Sequence, residues 1–214
     1  MRGLYAIVDT DAIDARGLDP LRFASAVLEA RPAALQLRAK GRFSRDTLSL
    51  LRQLATLTDD VALYANDRPD LAALAKCDGV HLGQQDVPPQ AARRVFEALR
   101  VPGRVGMSVH NAGELEVALA AAPDYIAFGP VFDTANKATP EPTIGLDGLL
   151  ELTAAARERT NVPFVAIGGI DLQAVAEVAA ICPCIATIGA LLADDYAAVT
   201  ARANKFARAI EGHA

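Results

Sequence analysis

The sequence predicts an α/β fold, a single (β/α)8 TIM barrel over residues 1–214. Three observations lead there. Eight short apolar runs alternate with amphipathic stretches from one end of the chain to the other. A strict β-then-α alternation is the signature of a parallel sheet covered by helices, and eight such units favour closure into a barrel. The apolar share of 52%, without tryptophan and dominated by Ala, Leu and Val, suits helices packed on a parallel sheet. An open, doubly wound sheet would need a reversal of strand order, which sequence alone does not exclude. No Gly-x-Gly-x-x-Gly follows the first run, so a dinucleotide fold is disfavoured.

The predicted strands are Leu4–Val8, Ala34–Arg38, Ala62–Asn66, Gly79–Leu82, Arg104–Ser108, Tyr125–Phe128, Phe164–Ile167 and Ile185–Ile188. Between them lie helix starts. Asp19-Pro20 offers a cap followed by proline at the first helical position. Asn111 and Glu114 have the spacing of a capping box. Asp171 is expected to cap a helix over Leu172–Ile181, and Asp194 or Asp195 one that runs to about Ile210. The stretch Thr134–Thr143, with two prolines and little periodicity, reads as a long loop suited to a lid.

The net charge of −5 and the absence of a basic stripe argue against nucleic acid. A few cations focused in one cleft still allow an acidic protein to bind anions. Cys77, Cys182 and Cys184 have no metal-like spacing and sit among apolar residues. They predict reduced, buried thiols in a cytoplasmic protein. The first residues run straight into a strand, with no signal peptide expected, and no apolar stretch approaches the roughly 20 residues of a membrane span. The oligomeric state stays open, a homo-oligomer included.

If the strands are parallel, their C-terminal ends share one face. Gln36, Arg38 and Lys40 are spaced by two, so all three point one way, into the lumen and mouth. A guanidinium there needs an anionic ligand or an internal carboxylate partner. Asp67 and Asp86 follow adjacent strands. Magnesium takes one or two carboxylates together with phosphates and water, although each aspartate can also be read as a cap. Gly168-Gly169 and Gly189 follow the last two strands, where barrel enzymes often bind phosphate, and where tight turns also want glycine. Ser108 ends the fifth strand, where its hydroxyl can donate to a phosphate oxygen. Lys137 lies in the long loop. His81, inside an apolar run, reads as a core histidine bridging backbone groups. The role of His110 is open. No Gly-x-Ser-x-Gly or Cys–His context supports acyl transfer.

These segments, in order and spacing, resemble the thiamine-phosphate synthase (thiamine-phosphate pyrophosphorylase) family over nearly the whole chain. The matching stretches include Leu4–Val8, Gln36–Lys40, Asn66–Arg68, Gly79–Asp86, Gly106–His110, Asp124–Ile126, Gly129–Phe132, Lys137, Gly145-Leu146 and Ala166–Ile170. The resemblance implies a barrel transferase that joins two small-molecule substrates. These are hydroxymethylpyrimidine diphosphate and hydroxyethylthiazole phosphate, and the products are thiamine phosphate and pyrophosphate. It implies Gln36 on the aminopyrimidine, and Arg38, Lys40, Asn66, Ser108 and Lys137 on the diphosphate. Asp67 and Asp86 would bind Mg2+. Thr134, with Asn136 beside it, would lie near the thiazole phosphate, which would also rest on the backbone at Gly168 or Gly169, Ile188 and Gly189. The expected chemistry is dissociative: the C–O bond breaks as charge on the leaving group is neutralised, and the thiazole nitrogen attacks.

The chain departs from the family pattern twice. Thr134-Ala135-Asn136-Lys137 stands where Thr-x-Thr-Lys is usual, and Gly189 where Ser usually follows Ile. Both departures touch the thiazole-phosphate side. Another phosphate-binding barrel, such as a tryptophan-pathway isomerase or synthase, is disfavoured by the two-aspartate pair, and two other readings remain. One is a thiazole tautomerase-like isomerase, a group that lacks the Gln-x-Asp segment and carries histidine where this chain has Pro130. The other is a non-catalytic sensor that binds thiamine phosphates.

Overall fold

Each apolar run of the sequence becomes a parallel strand, and the eight strands close on themselves in chain order. The structure is a computed structural model that describes residues 1–134 and 142–212. The strands are β1 (Gly3–Asp9), β2 (Ala34–Arg38), β3 (Ala62–Asn66), β4 (Gly79–Leu82), β5 (Arg104–Val109), β6 (Tyr125–Phe128), β7 (Phe164–Ile167) and β8 (Cys184–Thr187). Among the described residues the helices are α1 (Thr10–Asp14), α2 (Pro20–Leu28), α3 (Ser44–Ala55), α4 (Pro69–Ala75), α5 (Pro89–Leu99), α6 (Ala112–Ala121), α7 (Gly145–Arg157), α8 (Val175–Ile181) and α9 (Tyr196–Glu211). None of them is long and apolar enough to cross a membrane.

Several boundaries differ from the sequence reading. β1 gains a residue at each end, and β5 extends to Val109. β8 lies one residue earlier than expected. Ala186 is its last residue paired with β7, and Ile188 has already turned into the helical region to begin a short 3-10 turn, Gly189–Leu191. Asp171 does not cap α8 directly. Its carboxylate accepts from the N–H groups of Gln173 and Ala174, so it closes a turn, and α8 starts at Val175. The expected capping box is half formed. Asn111 accepts from the Glu114 N–H at 3.0 Å, but the Glu114 carboxylate reaches the N–H of His110 instead of that of Asn111. The caps at Asp19 and Asp195 form as read.

Two apolar layers result. The larger fills the space between strands and helices, with Leu35, Leu37, Leu51, Phe23 and Phe206 among its fully buried members. The three cysteines are free and buried, as the sequence predicts. The smaller layer fills the lumen, around Tyr5, Tyr64 and Tyr125 with Ile7, Val165 and several alanines. The three tyrosine rings meet with centroids 5.8, 6.0 and 5.4 Å apart, within the range of favourable edge and tilted contacts. A lumen this narrow holds three large rings only if other strands contribute little. Gly79 and Gly106 do so: a Cβ at Gly106 would stand 2.0 Å from the Tyr125 ring, and one at Gly79 would stand 2.2 Å from the Arg104 carbonyl.

Gly106→Ala is therefore expected to destabilise the fold by about 3 kcal/mol, since the buried ring has nowhere to move. A urea midpoint equal to that of the parent protein would contradict this packing account.

Candidate active site

β1 to β5 carry their polar residues at the C-terminal ends, and parallel closure gathers these on one rim. The period of two turns Tyr5, Ile7 and Asp9 inward on β1, and Gln36 and Arg38 inward on β2. Gln36 is 3% exposed, and its side-chain N–H donates to the Tyr5 hydroxyl at 2.9 Å. Arg38 is paired with Asp9, a residue the sequence reading did not single out. Asp9 is 2% exposed and also caps α1, accepting from the Ala12 N–H. Asp9 is thus the internal carboxylate partner that a guanidinium here needs, and it holds Arg38 at the mouth. The signal for Asp9 was its odd-number parity with Tyr5 and Ile7 and its register opposite Arg38.

Asn66 ends β3 and is half-buried. Asp67 follows with φ of 64°, a left-handed conformation that non-glycine residues seldom adopt. Its N–H donates to the His81 carbonyl, which carries the chain across to β4. The turn aims the Asp67 carboxylate at two neighbours. Lys40 Nζ lies 3.4 Å away, and the Asp86 carboxyl is within hydrogen-bonding reach. Burial, then Asp86, hold the Asp67 carboxyl above the usual carboxylate range, with Lys40 opposing them. Asp86 is itself fixed by accepting from the Gly83 N–H at 2.7 Å. Neither aspartate caps the helix that follows, since α4 and α5 begin without a side-chain cap. The helix-cap reading therefore holds for neither, while Asp86 does close the loop after β4 through the Gly83 N–H.

Ser108 lies beside this pair on β5. Its carbonyl accepts from the Gln84 side chain at 2.6 Å, and its hydroxyl meets His81 Nε2 at 2.9 Å. His81 is a core histidine, as expected, but its partners are side chains and not backbone groups: Nδ1 meets the Tyr125 hydroxyl at 2.9 Å. His110 pairs with Glu114 at 2.7 Å on the first turn of α6. On the far side, Gly168 and Gly169 have φ of 100° and 64°, and a Cβ at either would stand about 2.5 Å from the Pro130 or Asp133 backbone. Glycine is thus required at both positions by the close approach of the chain after β6. The Phe132 N–H donates to the Gly168 carbonyl, tying the loop after β6 to this turn. Ile188 and Gly189 form the start of the 3-10 turn after β8. Thr134 is half-buried in the chain that follows β6. Asn136 and Lys137 lie outside the described residues.

Cations on one rim, an acidic pair and glycine turns after the last two strands make this a barrel suited to anionic small molecules. The model of thiamine monophosphate synthases matches residues 4–191, and the chain belongs to that family. It is 41% identical over 176 residues to a thiamine-phosphate synthase of Koribacter versatilis, covering 79% of each chain. It is 39% identical over 203 residues to one of Anaeromyxobacter dehalogenans, covering 94% of this chain and 85% of that one. The thiamine phosphate pyrophosphorylase of Pyrococcus furiosus superposes with a TM-score of 0.82 at 28% identity, over 98% and 96% of the two chains. The protein is an enzyme of this transferase class.

Burial pushes the His81 imidazole down from 6.5 to about 4, with the Asp86 charge opposing. The unfolded chain then binds more protons at this site between those two values. Stability should fall as pH drops from 6.5 toward 4, by on the order of 3 kcal/mol from this residue. Asp67, shifted up, works against that trend, so the comparison needs a variant. In His81→Gln the slope of unfolding free energy against pH should become smaller across this window. An unchanged slope would mean that His81 is charged in the folded protein.

Proposed function

We propose that the protein is a magnesium-dependent thiamine-phosphate synthase, joining hydroxymethylpyrimidine diphosphate to hydroxyethylthiazole phosphate. The observation that carries the reading is the Asp67–Asp86 pair beside Lys40, with Arg38 on the same rim. Two neighbouring hard carboxylates, one of them held above the usual carboxylate range by burial and by the other, suit a small divalent cation. Among the described residues no group of three His, Cys, Asp or Glu is placed to hold a metal. A two-carboxylate site of this kind leaves positions for substrate phosphates and water, as Mg2+ prefers. When bound, Mg2+ would supply positive charge to a diphosphate leaving group.

The residues of the chain then divide the work. Gln36 faces the aminopyrimidine and fixes the ring. Arg38, Lys40 and Ser108, with Asn66 beside them, contact the diphosphate and counter its charge as the methylene C–O bond lengthens. By the family resemblance, Lys137 would add a third cation. The thiazole phosphate rests on the backbone of Gly168, Gly169, Ile188 and Gly189, with Thr134 and Asn136 at its edge. That places the thiazole nitrogen to form the new C–N bond as pyrophosphate leaves, so positioning supplies much of the rate. No protein nucleophile takes part. The free, buried thiols support a reducing, cytoplasmic setting for this chemistry. Asp86 and Pro130 favour the synthase over the isomerase reading, since that group lacks the first and carries histidine at the second.

Incubating the protein with both substrates and Mg2+ should yield thiamine phosphate and pyrophosphate in equal amounts. Tight product binding without turnover would instead indicate a sensor. Asp86→Ala should lower Mg2+-dependent pyrophosphate release by about 100-fold or more, and full activity in that variant would contradict the metal assignment. Lys137→Ala should reduce kcat more than it weakens thiazole-phosphate binding. An equal loss of thiazole-phosphate affinity would place this lysine in the other subsite.

A further inference from the structure

A single hydrogen-bonded path crosses the barrel lumen from β2 to β5. The Gln36 side-chain N–H donates to the Tyr5 hydroxyl at 2.9 Å. Tyr5 meets the Tyr125 hydroxyl at 2.9 Å. Tyr125 meets His81 Nδ1 at 2.9 Å, and His81 Nε2 meets the Ser108 hydroxyl at 2.9 Å. The first and last residues of the path are two that the proposed function assigns to substrate. The three between them are fully enclosed, with His81 the most exposed at 7%.

In such a path each hydroxyl has one proton and each neutral imidazole one N–H, so fixing one end fixes the other. Both ring nitrogens of His81 meet hydroxyls and not carboxylates, which suits the neutral ring. Tyr5 accepts from Gln36, and so turns its own proton to Tyr125. Tyr125 in turn donates to His81 Nδ1. His81 then carries its proton on Nε2 and donates it to Ser108. The Ser108 proton is left to point outward. The opposite order would leave the Tyr5 proton without an acceptor along this path and turn the Ser108 proton inward, away from any anion.

We propose that Tyr5, Tyr125 and His81 are positioning residues that set the proton order of the site, making Ser108 a committed donor toward the diphosphate while Gln36 keeps its carbonyl oxygen for the amino group of the pyrimidine. The substrate half of this proposal rests on the function proposed above. The proton order does not. No proton is transferred: the path only orients donors in advance, which removes reorganisation from the moment of reaction. The Gln84 side chain holds the Ser108 carbonyl from the other side, so the hydroxyl has little freedom beyond its rotor.

The proton order is read directly from the full chain labelled with 15N-histidine. The chain has three histidines, and the His81 signals are those missing in His81→Gln. Long-range 1H–15N correlations at neutral pH should show a single Nε2–H tautomer for His81, lost or mixed in Tyr125→Phe. An Nδ1–H tautomer or an imidazolium in the parent protein would overturn the proposal, as would an unchanged pattern in Tyr125→Phe. The link to substrate is read by kinetics. Tyr125→Phe should lower kcat about tenfold with little change in KM for the pyrimidine diphosphate. In a Ser108→Ala background it should cost nothing further. A loss that persists in that background would show that Tyr125 acts only on the fold, and would overturn the positioning role. A parent protein without synthase turnover would sink the function proposed above, while the spectrum would still decide the proton order.

Discussion

Closure of eight parallel strands is the constraint on which the rest of the molecule depends. It sends every strand's C-terminal end to one rim and leaves the chain no choice about where its inward residues point. A residue two places further along a strand moves from lumen to mouth without changing direction. Tyr5, Ile7 and Asp9 show this on one strand, and Gln36 and Arg38 on the next. The floor of the site and its charged rim are therefore a single stack of side chains. The tyrosines below fill space that Gly79 and Gly106 leave open. The same rings carry the hydroxyls that reach Gln36 and His81.

Charge at the mouth is arranged against its own short-range preferences. Asp67 is turned by a left-handed backbone toward a second carboxylate, where burial and like charge both disfavour ionisation. Arg38 is held by the buried Asp9, while the more exposed Lys40 lies 3.4 Å from Asp67. An arrangement of this kind has a cost in the folded state that a bound cation and polyanion would relieve together. Gly168 and Gly169 take positive φ without such a cost, because glycine has no Cβ.

Much of this was legible in the sequence because it follows from periodicity and order along the chain. Five of the eight strands, β2, β3, β4, β6 and β7, have the bounds read for them, and the rest differ by a residue at an end or in position. The polar strand ends Gln36, Arg38, Asp67, Asp86 and Ser108 were found by the same reasoning. What escaped depends on contacts across the barrel. Asp9 looks like an ordinary cap until β1 is laid beside β2. His81 was placed in the core correctly, yet its partners come from β5 and β6, and no local pattern names them. Tyr5 and Tyr125 read as strand formers, since a hydroxyl's partner 120 residues away leaves no trace in composition. The short turn after β8 was missed because a three-residue 3-10 element has no period to detect.

The central claim is that the acidic pair and the cations beside it form one receptor for a divalent ion together with diphosphate. Calorimetric titration of the protein with inorganic diphosphate tests it without either organic substrate. With Mg2+ present the account predicts saturable binding, one diphosphate per chain, at least about tenfold tighter than without the ion. Equal affinity with and without Mg2+ would contradict it.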